Sequence, residues 1–494
     1  MVNAQPKIDD APERAADSTE QTADAPPAPT PTPGQDVATP EAPKKKKRDG
    51  HLYQIDFVRL FTFGGVILDH VILGLAPATA VAAQGVGLML RYTRYCFFAL
   101  TGFVLTYQYR NRDLHAPTFW RRRYKLIGLP FLMWSLFYWT NRHYQHGGWG
   151  GITEIFQDGT SERLALKSLV YDLITGNAAY HLYFLSVSMQ IYLVFPAVLW
   201  VIKRTWGYHR YLLAGSLAFH FWLLFHMVRP PHDIFQDGAF GLLWRYLGVT
   251  LLPYQFFILA GCLAAYHYDA FSGFMRRFRR PLVLLALVTI VVTLVYYVIN
   301  VNSGEEMFRA TNVFMVHNSF MFVAIIVILY IVGTIWQDRR HPGSVPDNIM
   351  RTAADRSFGI YLAHVIVLSS VLAATRPYLD KPLWGDFMVP LWLNIVVTYV
   401  VTVIVTVFLV EVLRRSPISL ITTGRERIDW RIQRWGRSAF VAVIAAAIGF
   451  ATYETVDPKL GVLVTATAGL LLLSAVVVGV KQSNAGHDAK PVAS

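Results

Sequence analysis

Four ionisable residues stand inside one apolar stretch of this chain. Asp56 and Arg59 open it, and Asp69 and His70 lie deeper. Asp56 and Arg59 are three residues apart, so on a helix they share a face and can pair. His70 is eleven residues beyond Arg59. At about 100° per residue that is three turns plus about 20°, which points both side chains the same way, about 16 Å apart along the axis. A neutral imidazole, with an unperturbed pKa of about 6.5, takes a proton from a hydroxyl as that hydroxyl attacks an electrophile. The alternative is structural: a neutral His70 hydrogen-bonded between helices. Asp69 points about 100° away from His70, a direction in which it could pair with another helix.

Further polar groups recur in apolar surroundings. Arg91 and Arg94 open the second apolar run, where Arg91 either snorkels to the surface or meets a substrate. Thr101-Gly102-Phe103 falls in mid-run, where a small pair also permits close helix packing. Arg121, Arg122, Arg123 and Lys125 precede Pro130, His181 opens another run, and Tyr361 and His364 share a helix face. A serine-hydrolase elbow, a Walker loop and a dinucleotide fingerprint are all missing from the sequence. The two cysteines, Cys96 and Cys262, have no metal-ligand spacing, so no metal site is expected.

Only a membrane makes such residues unusual, and the composition supplies one. Of 494 residues 54% are hydrophobic and 16% charged; soluble proteins carry about 25% charged. Runs such as 282–298, 396–410 and 462–480 approach the ~20 apolar residues that span ~30 Å of hydrocarbon. We expect an all-α integral membrane protein with about twelve transmembrane helices. They fall near 57–77, 91–109, 126–142, 182–202, 211–228, 246–266, 281–300, 313–335, 358–376, 388–412, 438–453 and 461–480.

With that count, Lys and Arg concentrate in alternate loops: 110–125, 203–210, 276–280, 339–356 and 414–437. The rule that positive charge stays inside then places both termini in the cytoplasm of an inner (plasma) membrane protein. The net charge of +13 is thereby a topology signal, and nucleic acid is not expected as a partner. Residues 1–50, ending in the basic cluster Lys44–Arg48, read as a disordered cytoplasmic tail. A core over 51–420, a basic linker at 421–437, two more helices at 438–480 and a tail at 481–494 complete the expected organisation. The loop 143–181, with Gly147–Gly151 and an amphipathic stretch near Leu164–Ile174, is the longest outside segment.

These motifs, taken in order, resemble the acyltransferase-3 family of membrane-bound O-acyltransferases over residues 53–420. The resemblance rests on Asp56-Phe-Val-Arg59 followed by His70, and on Phe97-Phe98-Ala-Leu-Thr101-Gly102-Phe103 with Thr in place of the usual Ser. It also rests on Arg91, ten residues before Thr101, and on the basic run that leads to Pro130 and Trp134-Ser135. Finally, it rests on His181-Leu-Tyr183-Phe-Leu with Pro196, and on Ser357-Phe-Gly-Ile-Tyr361-Leu-Ala-His364. It implies a ten-helix core with two extra C-terminal helices.

It also implies acyl transfer, usually of acetyl, from cytoplasmic acyl-CoA to a hydroxyl of an envelope polysaccharide or glycolipid outside, with no permanently bound cofactor. His70 would be the general base, with a covalent acyl-His70 as the variant, while Arg59, paired with Asp56, would hold the pantetheine arm or a phosphate of the donor. Arg121, Arg122, Arg123, Lys125 and Thr101 would face the donor, and Arg91, His181, Tyr361 and His364 the acceptor. A transporter or flippase of an envelope precursor is the rival reading. Secondary carriers usually show two similar halves, and the seventh run, from Pro281, holds no counterpart of Asp56–His70.

Overall fold

The computed structural model describes residues 51–229, 237–378 and 388–488, with side chains through 485. The expected tail 1–50 with Lys44–Arg48, residues 489–494, and parts of the loops 229–245 and 377–387 lie outside the described residues. Every element among the described residues is helical. In chain order they are α1 Tyr53–Leu75, α2 Val81–Leu90, α3 Tyr92–Tyr109, α4 Ala116–Arg123, α5 Leu129–Thr153, α6 Gly159–Thr175 and α7 Tyr183–Arg204. Next come α8 His209–Val228, α9 Gly238–Arg245, α10 Gln255–Tyr266, α11 Tyr268–Arg277, α12 Arg279–Asn302, α13 Met307–Ala310 and α14 Val316–Arg339. The chain closes with α15 Val345–Thr375, α16 Leu391–Arg415, α17 Ser419–Thr423, α18 Trp435–Thr455 and α19 Pro458–Asp488.

Nine of the described helices are long and apolar enough to cross a membrane: α1, α7, α8, α12, α14, α15, α16, α18 and α19. The other three expected runs are helical but fall short. The run at 91–109 is α3, which starts beyond a break at Arg91 and carries Arg94 and several tyrosines. The run at 246–266 is apolar only over Leu252–Tyr266. Pro253 sits where a continuous helix would need its missing N–H, so the chain turns in short 3₁₀ segments before α10. The run at 126–142 belongs to α5, which continues to Thr153 through a kink at Gly148, whose φ is +60°. The stretch 143–181 is therefore not a long loop: α5 and α6 occupy most of it.

α3 and α10 are inside the bundle, and glycines explain how. A Cβ at Gly261 would lie 2.0 Å from the Ala99 carbonyl oxygen, and one at Gly102 would lie 2.4 Å from that of Ile258. Backbones approach this closely only without side chains, as in membrane helix pairs generally. α1 is central too, packing against α2, α3, α14, α15 and α16. At the C-terminus, α18 and α19 form a hairpin that uses the same device. Gly449 rests on Thr465, and Gly461 rests on Tyr453. α19 packs against α15 and α16, and its Leu460 and Val464 join the core around α1, α5, α7 and α15.

Candidate functional site

Two cavities open around α1, one toward each of its ends. The cavity at the Arg59 end is about 260 Å³; its charged lining is Arg59, Arg123, Asp355 and Arg425, and Thr101, Ser188, Tyr192 and Ser357 add hydroxyls among apolar residues. The cavity at the His70 end is about 570 Å³. Its polar lining is Asp69, His70, Arg91, Arg94, Tyr180 and Asn312, and its apolar lining includes Leu73, Phe308, Phe314 and Leu372. A smaller space of about 70 Å³ extends inward from His70 to His181, Tyr361, Phe97 and Phe184. Phe97 and Phe184 also line the Arg59-end cavity, so the two sides meet at these rings. Phe63, Phe97, Phe184 and Tyr361 form one aromatic layer there. The Phe63–Phe97 centroids are 4.4 Å apart, Phe97–Phe184 5.2 Å and Phe184–Tyr361 5.5 Å.

At the Arg59 end the geometry follows from three local devices. The Arg59 Nη1 donates to Asp56 Oδ1 at 3.4 Å, the pairing expected three residues apart. The chain before Pro130 widens into a π-helical turn, Tyr124–Gly128. This turn absorbs a proline that could not accept the regular i−4 geometry. α17 ends at Gly424, with φ +65°, a conformation that favours glycine. A Cβ there would lie 2.6 Å from the Leu126 carbonyl oxygen and 2.8 Å from the Phe358 ring. The tight turn delivers Arg425 to the cavity, where its Nε stands 3.7 Å from Asp355. Asp355 also accepts from Arg356 at 2.8 Å and from Arg414 at 3.0 Å.

Of the residues expected to face the donor, Arg123 and Thr101 line this cavity, while Arg121, Arg122 and Lys125 lie exposed outside its lining. Arg123 donates to Gln108 at 2.6 Å. The Thr101 hydroxyl donates to the Phe97 carbonyl at 2.9 Å, which leaves it only acceptor capacity toward a ligand. Arg425 and Asp355 were missed by sequence reasoning, because the stretches 339–356 and 414–437 read only as topology signals. The usable cue was Gly424, a glycine directly after a short apolar helix and directly before an arginine.

At the His70 end three imidazoles meet. The rings of His70 and His364 are stacked at 5.5 Å and 12°. His181 stands edge-on to His364 at 5.1 Å, and Tyr180 stands edge-on to His70 at 4.6 Å. His364 Nδ1 lies 2.6 Å from the Tyr361 carbonyl, which only accepts, so Nδ1 carries the proton and Nε2 a lone pair. That Nε2, both nitrogens of His181 and Asp69 Oδ1 are buried without a hydrogen-bond partner. Tyr361 donates its hydroxyl to the His181 carbonyl, tying α15 to the turn before α7. Tyr138 of α5 donates to Leu362 at 2.9 Å and holds α15 from the other side.

All four residues expected on the acceptor side are therefore near His70, in different capacities. Arg91 lines the cavity, but it also donates to the Thr311 carbonyl, so it is more than a snorkelling cation. His181 and Tyr361 line the inner recess, and His364 backs His70. Asp69 faces α2, where a Cβ at Gly87 would lie 3.6 Å from its Oδ1, and it lines the cavity together with Arg91 and Arg94. Arg94, which also lies over the Tyr183 ring at 5.4 Å, belongs to the site more fully than its sequence position suggested. No group of three or more His, Cys, Asp or Glu among the described residues is placed to hold a metal ion.

A family model described as an acyltransferase domain matches residues 52–411. The chain is also similar to a probable poly-β-1,6-N-acetyl-D-glucosamine export protein of Staphylococcus aureus (strain MRSA252). The identity is 22% over 289 residues, covering 58% of this chain and 71% of that protein. No solved structure matches the chain.

Proposed function

The chain belongs to the acyltransferase-3 family, and from that premise we propose that it carries an acyl group from acyl-CoA to a hydroxyl of an envelope carbohydrate or glycolipid. The observation that carries this reading is the placement of Arg59 and His70. One helix presents the first to one cavity and the second to another, and the two cavities meet at Phe97 and Phe184. A charged donor and a sugar acceptor that enter from opposite sides of a membrane require this arrangement.

The donor's phosphates are met by Arg59, Arg123 and Arg425, since guanidinium–phosphate contacts are among the strongest charge-assisted hydrogen bonds. Acetyl-CoA is the donor we expect, with the Arg59 end cytoplasmic. The pantetheine arm extends along α1 toward the aromatic layer, a distance of about 16 Å to His70. There His70 takes the proton of the acceptor hydroxyl while its oxygen bonds to the thioester carbonyl carbon. The C–S bond then breaks, and the thiolate leaves on the donor side and regains a proton. Arg94 and Tyr180 border the reacting atoms, where positive charge and an O–H stabilise the developing oxyanion. His364, stacked behind, fixes the plane of the base.

Radiolabelled acetyl transfer from acetyl-CoA into membrane glycans, compared between wild type and His70→Gln, tests this. Equal transfer by the variant would overturn the role of His70, and no transfer by either would overturn the activity. The name of the Staphylococcus aureus relative favours a second reading, carbohydrate export. Export without covalent chemistry predicts that glycan crosses the membrane normally in His70→Gln, with no label incorporated in either protein.

A further inference from the structure

A second polar pocket lies at the His70 end, about 230 Å³, between α8, α12 and α14. It shares a wall with the reactive cavity. Phe308, Val313 and Phe314 line the cavity, while the neighbouring residues Arg309 and Met315 line the pocket. The wall is pinned from the reactive side, where Arg91 donates to the Thr311 carbonyl and Tyr95 donates to Val313 at 3.0 Å.

We propose that this pocket is a distal carbohydrate subsite. It takes one sugar ring of an oligosaccharide whose acylated unit sits at His70. Its volume is below the ~300 Å³ at which sites for drug-sized ligands begin, which suits one ring rather than an acyl chain. Tyr296 is half exposed and braced edge-on by His317 at 4.8 Å and 75°, which makes a fixed aromatic platform. Around it stand Asn300, Arg229 and the Glu305–Arg309 ion pair, whose Nε–O distance is 3.0 Å. Such a set offers both donors and acceptors, as sugar hydroxyls require.

A phospholipid headgroup is the competing ligand, and the lining argues against it. A phosphodiester only accepts hydrogen bonds and is repelled by a carboxylate. The two arginines are already engaged, Arg309 by Glu305 and Arg229 over the Phe225 ring at 5.4 Å.

The experiment uses full-length protein in phosphatidylcholine nanodiscs, carrying His70→Gln so that binding is read without turnover. Saturation-transfer NMR is recorded with tri- and tetrasaccharides of glucose, galactose and N-acetylglucosamine. We expect at least one to be saturated most strongly on a single ring. Its affinity should fall at least tenfold with Tyr296→Ala or Asn300→Ala, recover with Tyr296→Trp, and stay unchanged with Tyr453→Ala on the exposed side of α18. Melting curves of the variants establish that they fold. Absence of saturation across the panel, or saturation indifferent to Tyr296 and Asn300, overturns the proposal. So does displacement of the bound sugar by phosphatidylglycerol in the nanodisc. That the bound sugar belongs to the acceptor rests on the acyl-transfer reading. That reading has its own test in label transfer, so the two fail separately.

Discussion

The imidazoles of His70 and His364 lie nearly parallel, with centroids 5.5 Å apart and planes at 12°, although they come from helices far apart in the sequence. His364 is fully buried and its Nδ1–H is committed to the Tyr361 carbonyl. His70 is half-buried and borders the larger cavity. The buried ring is thus a fixed backing plate, and the half-buried one is available to a substrate.

His70→Gln keeps the size and polarity of the side chain but removes the proposed base. General-base removal costs about 10²- to 10⁴-fold. We expect label transfer to fall by that amount with an unchanged melting temperature. A loss below tenfold in steady-state assays would rule His70 out as the base.

His364→Phe should act through His70. Phe keeps a flat ring behind the base but gives up the hydrogen bond to Tyr361. We expect kcat to fall less than in His70→Gln, with KM for acetyl-CoA unchanged. His364→Ala removes the backing altogether and should fall further. A kcat order reversed between the two would contradict a positioning role.

Arg425→Ala and Arg123→Ala should raise KM for acetyl-CoA with little change in kcat. A hydrogen bond to a charged group contributes about 1.5–3 kcal/mol, or about ten- to a hundredfold in affinity. Arg121→Ala, exposed and outside the cavity lining, should have no such effect. Titration of acetyl-CoA at two ionic strengths checks this, since the gap between wild type and Arg425→Ala must narrow with salt.

Gly424→Ala forces a side chain into a positive-φ position, which costs about 1–2 kcal/mol. Its Cβ also meets the Leu126 carbonyl and the Phe358 ring. We expect a lower melting temperature together with weaker acetyl-CoA binding, because the turn carries Arg425. Gly469→Ala, with nothing near its missing Cβ, is the control that should change neither.

Tyr361→Phe deletes the hydroxyl that meets the His181 carbonyl and leaves that carbonyl without this donor. The carbonyl still accepts from the Phe184 N–H at 3.3 Å, so the loss is that of one net hydrogen bond, about 0.5–1.5 kcal/mol. We expect measurable destabilisation in thermal melts and a drop in transfer, since His181 and Tyr361 line one recess. Wild-type melting would show that the contact contributes nothing.

Much of the site was legible because membranes make polar residues conspicuous. Asp56, Arg59 and His70 stood out in an apolar run, and helical periodicity put Arg59 and His70 on one face; each lines a cavity, Arg59 one and His70 the other. Tyr361 and His364 were legible for the same reason. Arg425 and Asp355 were not, since charge near helix ends ordinarily reports topology. Only the Gly424 turn turns one of them into the cavity. Nine of the twelve expected runs form described helices long and apolar enough to cross a membrane, while Arg91 and Pro253 interrupt two of the others, whose average composition looks continuous.

The sequence alone determined that this chain is a helical membrane protein with a titratable imidazole on the same helix face as an arginine. Composition and a 3.6-residue period are local properties, and they survive any packing. Only the tertiary structure decided that His70 meets His364 and His181, that Arg59 faces Arg425, and that two cavities converge on Phe97 and Phe184. Those relations depend on which helices touch. Close backbone approaches fix part of that choice, α3 on α10 at Gly102 and Gly261 and the Arg425 turn against Leu126 at Gly424, and a helical period does not say which helix a glycine will meet.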